Sequence, residues 1–125
     1  MANEALLYAG AGVIILWGIA HIVPIRSVVK GFGAISEDNK QIITMEWIAE
    51  GLALSFIGVL VLYLTVTAGA TDSVAVSVYR ACGLMLLAMA VLTRLTGAGS
   101  PIMAVKICPV VKTVVAVLFF LGSGL

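Results

Sequence analysis

Four stretches of this chain, about residues 5–23, 47–70, 73–94 and 101–122, are dominated by Val, Leu, Ile, Ala and Gly and carry few charges. Each meets the need for about 20 predominantly apolar residues to cross the hydrocarbon core of a bilayer. Inside that core the backbone must satisfy its own hydrogen bonds, and no alternation of polar and apolar residues marks a barrel strand, so all four are expected to be helices. Composition agrees: the 125 residues are 62% hydrophobic and 10% charged, against about half and about a quarter in soluble domains. The expected fold class is all-α: a polytopic membrane protein folded as one four-transmembrane-helix up-down bundle over residues 1–125, with both termini outside.

The basic residues set the orientation. Arg26, Lys30 and Lys40 lie between spans one and two, and Arg94 and Lys106 flank the connection between spans three and four. The other side has Glu4 and Asp72 and no Lys or Arg in its loops or termini. The excess of Lys and Arg on cytoplasmic loops places both basic connections in the cytoplasm. The first span is not expected to be a signal peptide, because it carries Glu4, lacks a basic leader and has too long an apolar run. A net charge of +1 from scattered basic residues gives no footprint for nucleic acid, which is not an expected partner.

The connections are short except for Pro24–Thr44. Within it "SEDNKQ" predicts a helix start at Ser36, a good N-cap followed by Glu37 and Asp38 at the positive end of the dipole. Span two therefore begins below the membrane, with Ile42, Ile43 and Trp47 at the interface. "AGATDS" predicts a tight turn that makes spans two and three antiparallel neighbours. In "TGAGSP", Ser100 is the expected cap and Pro101 the first helical residue. Pro109, inside span four, is expected to kink or break the helix. Small residues such as Gly10, Gly18, Gly51, Gly58 and Gly83 allow close helix packing, either within the bundle or against a partner.

Ionisable groups inside spans are costly and ordinarily face a partner or a cavity. His21, Glu46, Glu50, Lys106 and Lys112 all fall on the cytoplasmic side of the bilayer. Trp17 and His21 are four residues apart, as are Glu46 and Glu50, so each pair shares a helix face. Lys112 is about ten residues from either end of its span, too deep to reach water cheaply, and needs a partner; Glu50 is the natural one. A site of His21 and Glu50 as proton-handling groups, with Trp17, Glu46, Trp47 and Lys112 binding a ligand, is geometrically permitted. Plainer roles stand beside each: Trp47 as an interfacial anchor, Glu46 at the helix N-terminus, His21 bonding a carbonyl near Pro24, Lys106 snorkelling, and Glu50–Lys112 as an ion pair holding two helices. Arg80, near the outer leaflet, is expected to meet Glu4 or Tyr8.

Cys82 and Cys108 lie on different spans and form no C-x-x-C pair, so no thiol redox centre is expected. The Glu-x-x-His pairs of di-iron bundles are absent, so no metal is expected either, and the residues name no cofactor.

The run "WGIAHIVPIRSVVKGFGAISEDNKQIITMEWIAEGLALSFIGVL" resembles a group of small prokaryotic four-span membrane proteins. More distantly, the short chain with four-helix hydropathy resembles the DoxX-like family. The resemblance implies a multi-pass protein of the prokaryotic plasma membrane. The His, Glu and Trp content is also similar, in residue type alone, to emopamil-binding sterol isomerases, which implies an acidic site with an aromatic wall around a lipophilic substrate. Three functions remain open at this level. The first is a bundle that binds a small lipophilic ligand in a cytoplasm-facing intramembrane pocket, with Glu50 or His21 shuttling a proton in an enzymatic version. The second is an accessory or structural subunit of a larger membrane complex. The third is a homo-oligomeric proton-coupled transporter or channel.

Overall fold

The computed structural model describes residues 1–97 and 99–125; Ala98, within the "TGAGSP" connection, lies outside the described residues. Among them the chain forms five helices: α1 (Glu4–Ile22), α2 (Ile25–Gly31), α3 (Glu37–Thr67), α4 (Ser73–Gly97) and α5 (Met103–Gly122). All but α2 are long and apolar enough to cross a membrane, the architecture of a multi-pass membrane protein.

The helix ends follow local chemistry. Asn3 caps α1 by accepting from the Ala5 N–H at 3.0 Å, and Ser36 caps α3 by accepting from Asn39 N–H at 3.2 Å, as its sequence context predicts. Asp72 opens α4 by accepting from Ala75 N–H at 2.9 Å. Gly69, at φ +81°, makes the left-handed turn after α3 that a side chain would oppose. Two expectations, at Pro101 and Pro109, are corrected. Ser100 accepts from Ile102 N–H at 3.2 Å, but α5 starts only at Met103, leaving Pro101 outside the helix. The long Pro24–Thr44 connection holds a further helix: Pro24 precedes the seven-residue α2, whose Val28 is buried and which packs against α3, and residues 32–36 turn the chain into α3. Pro109 does not break α5, which runs through it; proline simply removes the N–H that the Val105 carbonyl would otherwise receive.

In the bundle α1 is central. It packs against α3 on one side and α5 on the other, and α5 packs against α4, giving the spatial order α3–α1–α5–α4. α3 and α4, although joined by a tight turn, touch only sparsely. The expected close pairing of these two consecutive spans is therefore absent, and the bundle has one open edge.

The glycines explain the preference of α3 for α1. A Cβ on Gly51 would stand 2.8 Å from the Gly18 carbonyl oxygen and 3.1 Å from His21 Cβ, and one on Gly58 would stand 2.8 Å from the Ala11 oxygen. The two backbones approach as closely as small residues permit, which is how membrane helices gain packing where burial from water offers none. On the other side of α1, Gly10 receives the Phe119 ring and Gly122 receives Leu7. Leu7, Ile14, Leu54, Tyr79, Leu86 and Phe119 are fully buried along the bundle axis. Leu16, Phe56 and Tyr63 point outward at more than half exposure, the pattern of a surface meant for lipid.

Polar contacts lock the end that carries both termini. Asn3 N–H donates to the Gly122 carbonyl at 2.8 Å, Ala70 N–H to Glu4 at 3.2 Å, and the Tyr79 hydroxyl to the Gly69 carbonyl at 3.1 Å. Arg80 donates to the Ser123 hydroxyl and carbonyl, both at 3.4 Å, rather than meeting Glu4 or Tyr8, because Glu4 is engaged by the 69–72 turn. The opposite, basic end carries α2, Arg94 and Lys106.

Gly51→Ala should lower the unfolding free energy in a detergent-to-SDS titration by about 1–3 kcal/mol, the cost of overpacking a tight contact. Gly12→Ala, where an added Cβ meets nothing within 4 Å, should stay within about 0.5 kcal/mol of the parent.

Candidate functional site

Three helix faces converge near the basic end. On α1, Trp17 and His21 are one turn apart; on α3, Trp47 and Glu50 are neighbours on one face; on α5, Cys108 and Lys112 are one turn apart. The Gly18–Gly51 contact fixes the first two faces against each other, since His21 and Glu50 flank it in sequence.

Lys112 is fully buried, and its ammonium makes two bonds: an ion pair with Glu50 Oε1 and a hydrogen bond donated to Thr93 Oγ1 at 2.9 Å. Thr93 passes its own hydrogen to the Met89 carbonyl at 2.8 Å, so its oxygen is free to accept. The expected Glu50–Lys112 pair is thus present, and α4 contributes a second acceptor that depth alone did not identify. Glu50 is 28% exposed, so the carboxylate reaches outward while the ammonium stays behind it.

The second carboxylate oxygen of Glu50 lies 3.5 Å from His21 Nε2. His21 Nδ1 lies 3.3 Å from the Trp17 carbonyl oxygen, which can only accept, so Nδ1 carries a hydrogen and Nε2 is the nitrogen presented to the site. The bond to Trp17 replaces the expected one to a carbonyl near Pro24. Cys108 Sγ lies 3.8 Å from the same Nε2 and receives the Trp17 indole N–H at 3.3 Å. The imidazole stacks on Trp47 at 5.1 Å between ring centres and meets Trp17 edge-on at 5.6 Å. The Trp47 indole N–H is buried with no acceptor among the described residues, so stacking rather than a hydrogen bond holds that ring.

In front of this cluster the open α3–α4 edge forms a cleft of about 610 Å³. Its walls are mostly apolar, including Ile43, Ala53, Met85, Met89 and Leu92; His21, Glu50 and Cys108 cluster on its inner side, and Glu46, Thr93 and Thr96 add polar groups elsewhere on the wall. Glu46 is exposed on the cleft wall and makes no ion pair among the described residues. Trp47 lines the cleft; Trp17 and Lys112 stand behind the wall and bear on it through Cys108, His21 and Glu50. Lys106 is exposed and lies apart from the cluster, as a snorkelling lysine does.

Sequence reasoning missed Cys108. A buried thiol ordinarily reads as a small apolar residue, and the one available signal was its position a single turn before Lys112 on α5. It also missed Thr93, a lone hydroxyl whose role depends on which helix Lys112 faces.

No family model, curated protein or solved structure matches this chain.

Thr93→Val removes an acceptor from a buried ammonium and should destabilise the bundle by about 1.5–3 kcal/mol, the range for a hydrogen bond to a charged group. Thr113→Val, which loses only a local bond to the Pro109 carbonyl on an exposed face, should shift SDS unfolding by no more than about 0.5 kcal/mol.

Proposed function

We propose that this integral membrane protein binds a small lipophilic molecule with one polar group in the cleft between α3 and α4. The polar group sits against Glu50 and His21, and the apolar body lies along Met85, Met89 and Leu92. The observation that carries this reading is the open edge itself: α3 and α4 scarcely pack, and the apolar walls between them end on a cluster of a carboxylate, an imidazole and a thiol. The volume falls within the range of about 300–1,000 Å³ common to small-molecule sites, and mostly apolar walls with a few convergent polar groups are their usual lining.

Two further points support it. The cleft is near the basic end, which the distribution of Lys and Arg places toward the cytoplasm, so a ligand reaches it from that side or laterally from the bilayer. Glu50 and His21 are joined edge to edge at 3.5 Å, an arrangement that can pass a proton to or from a bound polar group. The ligand reading is preferred to that of an accessory subunit because the cleft's polar groups face inward, where a docking helix of apolar surface would leave them unmatched.

Native mass spectrometry on protein drawn gently from its own membrane tests this. The expected result is one discrete small-molecule mass per chain, lost when Ala53→Trp fills the cleft. Phospholipid adducts alone, retained in the variant, contradict the reading; so does stoichiometric recovery with a larger subunit and no small mass.

A further inference from the structure

We infer that His21, Cys108 and Glu50 form a binding centre for one zinc-class divalent metal ion on the inner wall of the cleft. This goes beyond the lipophilic-ligand reading and does not depend on it.

The donor atoms converge on one point. His21 Nε2 is 3.5 Å from Glu50 Oε2 and 3.8 Å from Cys108 Sγ, and all three donors lie within 4.8 Å of one another. Four-coordinate zinc, with bonds of about 2.0–2.3 Å, places neighbouring ligand atoms about 3.3–3.6 Å apart. The two contacts to the imidazole are already within a few tenths of an ångström of that, and a rotation of the carboxylate closes the third edge.

The arrangement argues against the alternative use of the same residue types, a thiol nucleophile with a His–acid relay. A relay needs the acid on the ring nitrogen opposite the nucleophile. Here thiol and carboxylate both face Nε2, and Nδ1 is committed to the Trp17 carbonyl. Convergence of sulfur, oxygen and nitrogen on one side is a chelate, not a relay.

Each donor is also held from behind by a group that is not itself a donor to the centre. The Trp17 carbonyl fixes the imidazole tautomer, the Trp17 indole N–H bonds the Cys108 sulfur at 3.3 Å, and the Lys112 ammonium holds the far oxygen of Glu50. Such outer partners, a carbonyl behind a ligating His above all, accompany metal centres and orient their ligands. His21 and Cys108 are 3% and 2% exposed and all three donors line the cleft, whereas Trp17 and Lys112 do not.

The donor set selects the ion. One imidazole, one thiolate and one carboxylate suit zinc-class ions; magnesium and calcium take oxygen ligands, and copper(I) favours sulfur. On binding, the Cys108 S–H bond breaks, a sulfur–metal bond forms and the proton leaves to solvent; no electron moves. The ion's two positive charges are met by thiolate and carboxylate, leaving the charge of Lys112 unbalanced. The fourth position, which opens on the cleft, therefore prefers an anionic donor, either hydroxide or an acidic group of a bound molecule.

The test is cobalt(II) titration of the full chain in detergent micelles with Cys82→Ala, which leaves Cys108 as its only thiol. The expected result is a thiolate-to-cobalt charge-transfer band saturating at one equivalent, bleached by zinc, with affinity at least tenfold weaker when His21→Gln is added. Absence of the band overturns the proposal, as does a titration unchanged by His21→Gln. If the His21 variant does not fold, the band in the Cys82→Ala protein alone decides. Metal uptake without an organic mass leaves this inference standing and removes the ligand reading, and the reverse outcome does the opposite.

Discussion

A lysine ammonium buried in an apolar bundle is the constraint around which the basic end is arranged. Lys112 is fully buried on α5, and an ionised group so placed is tolerated only when paired and hydrogen-bonded. Its two partners come from different helices, Glu50 on α3 and Thr93 on α4. These are the two helices that scarcely pack against each other. The ammonium thus joins three helices across the bundle's open edge, and it allows that edge to stay open without the helices separating.

The same bond sets the polarity of the cleft. Lys112 holds one oxygen of Glu50 from within, so the other is turned toward His21 and the cleft. Close packing at Gly18 and Gly51 brings the imidazole to it, and Trp17 positions both the imidazole and the Cys108 sulfur. A structural ion pair and a candidate site are therefore two faces of one carboxylate. Replacing either member of the pair changes what the cleft presents as well as what the bundle rests on.

Hydropathy made the four long helices legible, because the bilayer's demand for length and internal hydrogen bonding leaves little choice. The Ser36 cap was legible for an equally local reason. The Glu50–Lys112 pair was legible from depth, since Glu50 lies one turn deeper in its span than Glu46 and is the nearer carboxylate to so deep a lysine. Helix adjacency was not. The short 68–72 turn suggested that α3 and α4 pair closely, but Gly51 and Gly58 give α3 a better surface on α1, and packing outweighed connectivity. α2 was missed because seven residues carry too little periodicity to distinguish a helix from a loop. Cys108 was missed because its meaning lies in Trp17 and His21, more than eighty positions away.

The most direct measurement of the central claim is a double-mutant cycle between Glu50 and Lys112, read as unfolding free energy in SDS-containing mixed micelles. Breaking one side of a buried pair strands the other charge, at about 3–5 kcal/mol, whereas replacing both restores much of the loss. The account predicts large penalties for Glu50→Gln and Lys112→Met alone and a double variant far more stable than their sum implies. Penalties that add would mean that the two residues act independently, and that something other than their bond ties α3 to α5.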